Sequence, residues 1–206
     1  MRLTNVLYLK RCPHCSIANP NINLVSSFES KSASGYNQRI WNIYVCNSCG
    51  GAIMGSRNMR SDEIIELIPQ MRDVDGCIPE RPRQFLLQAL ETIHAPAGSI
   101  MLSASSIDAM LKDMGYKNGN LYKRIEQAAK DHIITSGMSE WAHQIRLEAN
   151  DQRHADEDYN LPTEEDAKRI VEFAFALADF LYVLPNKVNK GIEQTKKDNA
   201  NTKQQV

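Results

Sequence analysis

Apolar and polar residues follow one rhythm over the first sixty positions and another beyond them. Residues 5–9 form a short apolar run. Residues 40–45 (Ile40, Trp41, Asn42, Ile43, Tyr44, Val45) are rich in β-branched and aromatic side chains, which predicts a strand. Gly50-Gly51 supplies a turn, and a short strand is expected over 52–55. The polar, Ser- and Asn-rich stretch 19–37 reads as a loop insertion. From Ser61 the period becomes helical. Ile64, Ile65, Leu67 and Ile68 predict a short helix stopped by Pro69, and longer helices are expected over 83–93, 97–114, 121–132 and 138–154. The last long helix is expected to start at Thr163, where Thr163 with Asp166 three residues on reads as a capping box, led by Glu164 and Glu165. It is expected to end before Pro185. The fold class is therefore α+β: a small N-terminal β segment over 1–60, an all-α bundle over 61–185, and a polar tail over 186–206 expected to fray.

Composition narrows the class. The apolar fraction of 42% and charged fraction of 24% suit a folded soluble chain of one ordinary domain plus a small one. The most apolar segment, 171–184, is interrupted by Glu172 and Asp179 and is too short to span a membrane. No basic start leads into a long apolar run, so a secretory signal is not expected and a cytoplasmic location is. The net charge of −1 is unevenly spread. Residues 1–60 carry seven basic side chains and one acidic one, residues 61–185 carry 12 basic and 22 acidic, and the tail has five Lys against two acids. That asymmetry directs any polyanion contact to the N-terminal segment.

Five cysteines, four of them in two tight pairs, indicate metal binding rather than disulfides in a chain with no expected signal. Cys12-Pro13-His14-Cys15 and Cys46-Asn47-Ser48-Cys49-Gly50 have the spacing of two zinc knuckles. Each turn aims two sulfurs at one ion, and two turns complete a tetrahedral Cys₄ shell. A structural Zn²⁺ is the expected cofactor. Redox pairs and rubredoxin-like iron sites share the spacing, although no thioredoxin-like βαβ pattern surrounds either pair. A closed Cys₄ shell leaves no position for a reacting water. His14 could replace one cysteine, but its place inside the knuckle favours a role in the loop. Cys77 reads as an ordinary thiol. Around the knuckles, Lys10, Arg11 and Arg39 with Trp41 combine charge and an aromatic ring, a set suited to phosphate contact and base stacking.

On a helical wheel, 138–154 places Met138, Trp141, Ile145 and Ala149 on one side. His143, Arg146, Asn150 and His154 fall in a sector of roughly 80° on the other. Arg153 flanks this stripe. A neutral His can accept a proton from a ribose hydroxyl, an Arg can hold a phosphate and an Asn can orient both. A solvated face or a seam between helices would look the same.

Five stretches in order, SIMLSASSIDAMLKDMG at 99–115, LYKRI at 121–125, IRLEANDQRH at 145–154, TEEDA at 163–167 and LYVLP at 181–185, resemble a prokaryotic family catalogued as domain of unknown function 4145. The likeness covers 97–190. Members of that family often carry an N-terminal cysteine-pair segment, and the family is similar to the HEPN helical domains. Many of those are metal-independent ribonucleases of toxin, CRISPR and phage-defence systems, pairing an Arg and a His across a dimer. The resemblance implies a homodimer, with Arg146 at the scissile phosphate, His154 in proton transfer and Asn150 between them, supported by His143. This chain departs from the pattern. Seven residues separate Arg146 from His154 where four to six are usual, placing them ~12 Å apart along one helix. No Arg occupies 103–106. Both departures weigh against enzymatic activity. The leading expectation is a non-catalytic, dimeric interaction module linked to nucleic-acid or defence machinery. It could partner RNA, DNA or a protein of a multi-component system. The alternative is a metal-independent endoribonuclease.

Overall fold

The computed structural model describes the backbone of residues 1–70, 73–154 and 160–203, and side chains within 1–70, 73–153 and 160–196. The chain forms two compact units, Met1–Asp73 and Val74–Val206.

The first unit is an antiparallel meander of four strands in the order β1 (Ile22–Ser30), β2 (Arg39–Cys46), β3 (Ala52–Asn58) and β4 (Ile64–Ile68). β2 carries the alternation seen in the sequence: Asn42, Tyr44 and Cys46 are buried on one face, with Trp41, Ile43 and Val45 on the other. The N-terminal segment covers the buried face, adding Leu3, Leu7 and Leu9 to Ile22, Tyr44 and Ile53. Gly55 makes room for this segment, because a Cβ there would lie 3.2 Å from Leu3 Cδ1. A polar thread crosses this core. The Ser27 hydroxyl donates to Asn42 Oδ1 (2.8 Å), Asn42 Nδ2 donates to the Tyr44 hydroxyl (3.0 Å), and that hydroxyl donates to the Thr4 carbonyl (2.7 Å).

Two expectations fail here. Residues 64–68 are a strand, not a helix. Five residues are too few to recover the cost of helix nucleation, whereas β3 offers an open edge, and Met54, Gly55, Ser56 and Arg57 pair with Ile68, Leu67, Glu66 and Ile64. The first unit consequently runs past residue 60. The polar stretch 19–37 is likewise not all loop, since β1 lies within it. As an edge strand β1 needs only Ile22 and Leu24 inward, and its serines and Glu29 are exposed or half-buried.

The second unit is helical, with α1 (Glu80–Glu91), α2 (Pro96–Asp113), α3 (Leu121–Lys130), α4 (Ser136–His154), α5 (Glu164–Ala178) and α6 (Leu184–Lys203). α2 is central and packs on α1, α3, α4 and α5. Ile100, Ile107, Met110 and Leu111 of α2 meet Leu86, Ile125, Ile145 and Ile170 in one core. Small residues let α2 approach α1 closely. The buried hydroxyls of Ser99 and Ser106 donate to the carbonyls of Ala89 (2.7 Å) and Pro82 (2.9 Å). The capping box at Thr163 forms as expected: Thr163 Oγ1 accepts from Asp166 N, and Asp166 Oδ2 accepts from Thr163 N.

The last helix does not stop before Pro185. α5 passes through a π-helical turn, Asp179–Val183, into α6, and the Leu184 N–H donates to the Asp179 carbonyl five residues back. Proline lacks an N–H and collides with the carbonyl four residues earlier. The widened turn accommodates both defects, and helix continues to Lys203, well into the stretch expected to fray. It also aims Tyr182 at α2, where its hydroxyl reaches the Met110 carbonyl and Asp113 Oδ2, both at 3.2 Å.

Candidate metal centre and basic groove

The two cysteine turns are built alike. In the first, Cys12 N donates to the Ile17 carbonyl and Ser16 N to the Cys12 carbonyl. In the second, Cys46 N donates to the Gly51 carbonyl and Gly50 N to the Cys46 carbonyl. The residue after each second cysteine is left-handed, Gly50 at φ 72° and Ser16 at φ 57°. That conformation costs glycine nothing. The four Sγ atoms of Cys12, Cys15, Cys46 and Cys49 lie within 4.8 Å of one another, with Cys12 and Cys49 3.9 Å apart, and no disulfide joins them. Tetrahedral ligation at ~2.3 Å per bond would set sulfurs ~3.8 Å apart. The cluster therefore fits one metal ion.

The thiols are unequal. Burial pushes Cys12 up to about 12. Cys46 is also desolvated, but the N–H groups of Cys49 and Ser48 and the sulfurs of Cys12 and Cys49 outweigh burial and draw it down to about 7. Four thiolates this close repel, and a cation at their centre removes that repulsion. His14 is not a fifth ligand. Its Nε2 is 2.8 Å from the Ala52 carbonyl, and its ring packs over Gly51, where a Cβ would come within 2.4 Å of Cδ2.

The structure does not gather the four residues expected to bind nucleic acid in this unit. Arg11 Nη1 donates to the Ser16 carbonyl (2.9 Å) and braces the first turn, and Lys10 beside it is exposed. Arg39 stands at the far end of β2 from Cys46, ~23 Å along the strand, and pairs with Glu66 (3.0 Å). Trp41 stacks on Phe28 across the strand pair, centroids 6.3 Å apart, and its Nε1 donates to Ser30. It is engaged in sheet packing.

The second unit holds a groove of about 670 Å³. α1 contributes Arg81 and Phe85; α2 contributes Met101, Ala104, Ser105, Asp108, Ala109 and Lys112. The start of α3 contributes Asn120, Leu121, Tyr122 and Arg124, and α4 contributes Arg146, Ala149, Asn150 and Arg153. Five cations thus meet one carboxylate among the described lining residues. Asp108 is spent on its neighbours, pairing with Arg124 (2.7 Å) and Lys112 (2.5 Å). Arg124 is nearly buried and also donates to the carbonyls of Lys117 and Gly119. Arg81, Arg146 and Arg153 have no acidic partner among the described residues.

The polar stripe of α4 divides. Arg146 and Asn150, one turn apart, line the groove, and Arg153 joins them. His143 turns to α3, where its Nε2 lies 2.8 Å from Glu126 Oε1 and its ring sits 4.7 Å from that of Tyr122. The Arg146 guanidinium lies 5.5 Å from the same Tyr122 centroid. His154 closes α4, and its side chain lies outside the described residues. Arg81, Lys112 and Arg124 escape a reading by composition, because they are scattered through the segment richest in acid. The available signal was the seven-residue spacing of Arg146 and Arg153, which puts both on one side of α4.

The profile of a family described as a domain of unknown function (DUF4145) matches residues 87–197, more than half the chain. That span includes α2, α3 and α4, which supply most of the groove. Neither the curated proteins nor the solved structures provide a match.

Proposed function

The chain belongs to the family described as a domain of unknown function (DUF4145), and we propose that this member is a non-catalytic interaction module that holds a nucleic-acid backbone in the groove of its helical unit. One observation carries the reading: five cations converge there, within a segment, 61–185, that has a charge balance of −10. Three of them lack acidic partners among the described residues, and such cations are free to exchange counterions for phosphates. We further infer that the helical unit is HEPN-like and pairs as a homodimer. The ion in the β unit is read as zinc with a structural role, since four thiolates in a tetrahedron suit Zn²⁺ and leave it no reacting water.

Binding of labelled RNA and DNA oligonucleotides across a salt series tests the groove. Each phosphate contact adds ~0.7 to the slope of log affinity on log salt for a single strand, so Arg81→Ala/Arg146→Ala/Arg153→Ala should flatten it by ~2. Lys10→Ala/Arg11→Ala/Arg39→Ala should change little. Parent-like binding by the groove variant, or loss confined to the β-unit variant, would refute the assignment.

A second reading, a metal-independent endoribonuclease, is supported by Arg146 and Asn150 sharing the groove. Cleavage of labelled RNA that survives EDTA and disappears in Arg146→Ala/His154→Ala would establish it. Equal cleavage by both proteins would dismiss this site.

A further inference from the structure

Tyr122 offers more than a neighbour for Arg146. It sits at the start of α3, lines the groove, and keeps 47% of its surface open. His143 and Arg146, one turn apart on α4, cover the side of the ring toward that helix. A guanidinium over an aromatic ring is attracted by the ring's electron density and helps to hold the ring in place. The half-exposed ring shares the groove lining with apolar Phe85 and Met101 and with Asn150, a side chain able to donate and accept.

We propose that this groove selects unpaired over paired nucleic acid, by stacking one base on Tyr122 while Arg146 and its neighbours hold the adjoining phosphate. The proposal rests on the groove reading above and narrows its ligand class. A duplex presents phosphates but keeps its bases stacked and edge-paired, so the ring and the apolar lining residues would stay in water. A single strand can swing one base onto the ring and cover both apolar surfaces while its backbone lies along the cations. Stacking requires only a π-face, so the choice is between unpaired and paired and not between base identities.

The test uses the full chain and three ligands of one sequence: a single strand with a fluorescent adenine analogue at one position, the same strand abasic there, and its duplex. The strand should bind at least roughly tenfold more tightly than the duplex, with the analogue quenched on binding. The abasic strand should lose a similar factor on the unmodified protein, independently of any substitution. Tyr122→Leu should lose about tenfold for the strand and none for the abasic ligand, whereas Tyr122→Phe should behave as the parent. Equal affinity for strand and duplex, or a Tyr122→Leu protein that still discriminates the abasic strand, would overturn the stacking role and leave the groove reading standing. No binding of any ligand by the parent would overturn both.

Discussion

Replacing Asp108 by Asn should loosen the helical unit and tighten its grip on polyanions. The carboxylate sits between Arg124 and Lys112, with its side chain 22% exposed and that of Arg124 10% exposed. Breaking a fully buried pair costs ~3–5 kcal/mol and an exposed one at most ~1. This pair lies between those limits, and Arg124 keeps the carbonyls of Lys117 and Gly119, so a loss of ~2 kcal/mol is expected. For a unit of this size the thermal midpoint should fall by roughly 6–10 °C, followed by far-ultraviolet circular dichroism. Lys112→Met breaks only the more exposed arm and should cost under ~0.5 kcal/mol. Removing a negative charge ~6 Å from a bound phosphate is worth ~0.7 kcal/mol at the dielectric of water. Nucleic-acid affinity at low salt should therefore rise about threefold even as the fold weakens. A midpoint shifted by less than ~1 °C, or affinity that falls in proportion to stability, would refute the reasoning. The first would mean that Arg124 needs no counter-ion, the second that Asp108 does not oppose the ligand.

Purified protein should contain one zinc per chain, and strong chelators should abolish the β structure while leaving the helical signal, because ligation energy is folding energy for such a site; metal analysis with paired spectra checks both. Gly51→Ala should destabilise the β unit by ~0.5–1.5 kcal/mol in urea unfolding, since the new Cβ displaces the His14 ring and breaks its exposed hydrogen bond to the Ala52 carbonyl. Thr163→Ala should cost ~1 kcal/mol by removing an N-cap. The N–H of Thr163 holds the Asp166 carboxyl below the usual aspartate range. Its contribution is therefore intact above that range and fades as pH falls through the depressed value; the parent should lose stability in acid faster than an Asp166→Asn protein, as paired denaturation curves would reveal.

Features set within a few residues were readable from the chain alone. A C-x-x-C turn aims its own sulfurs, so both halves of the metal centre stood out as motifs, and β2 needed only alternate positions along one strand. The capping box at Thr163 closes over four residues, and the four middle helices show their 3.6-residue period whatever they pack against. What escaped depended on partners distant in sequence. Ile64–Ile68 is a strand because β3 presents a free edge, and Ile22–Ser30 is one because β2 supplies hydrogen bonds that serines alone do not announce. Pro185 is tolerated inside a helix because a π-turn precedes it. The groove is the clearest case. Arg81, Lys112, Arg124, Arg146 and Arg153 come from four helices across 73 residues of an acidic segment. Charge counted along the chain pointed to the β unit, but electrostatic potential depends on distance in space. Only the packing of α1, α3 and α4 around α2 brings these five together.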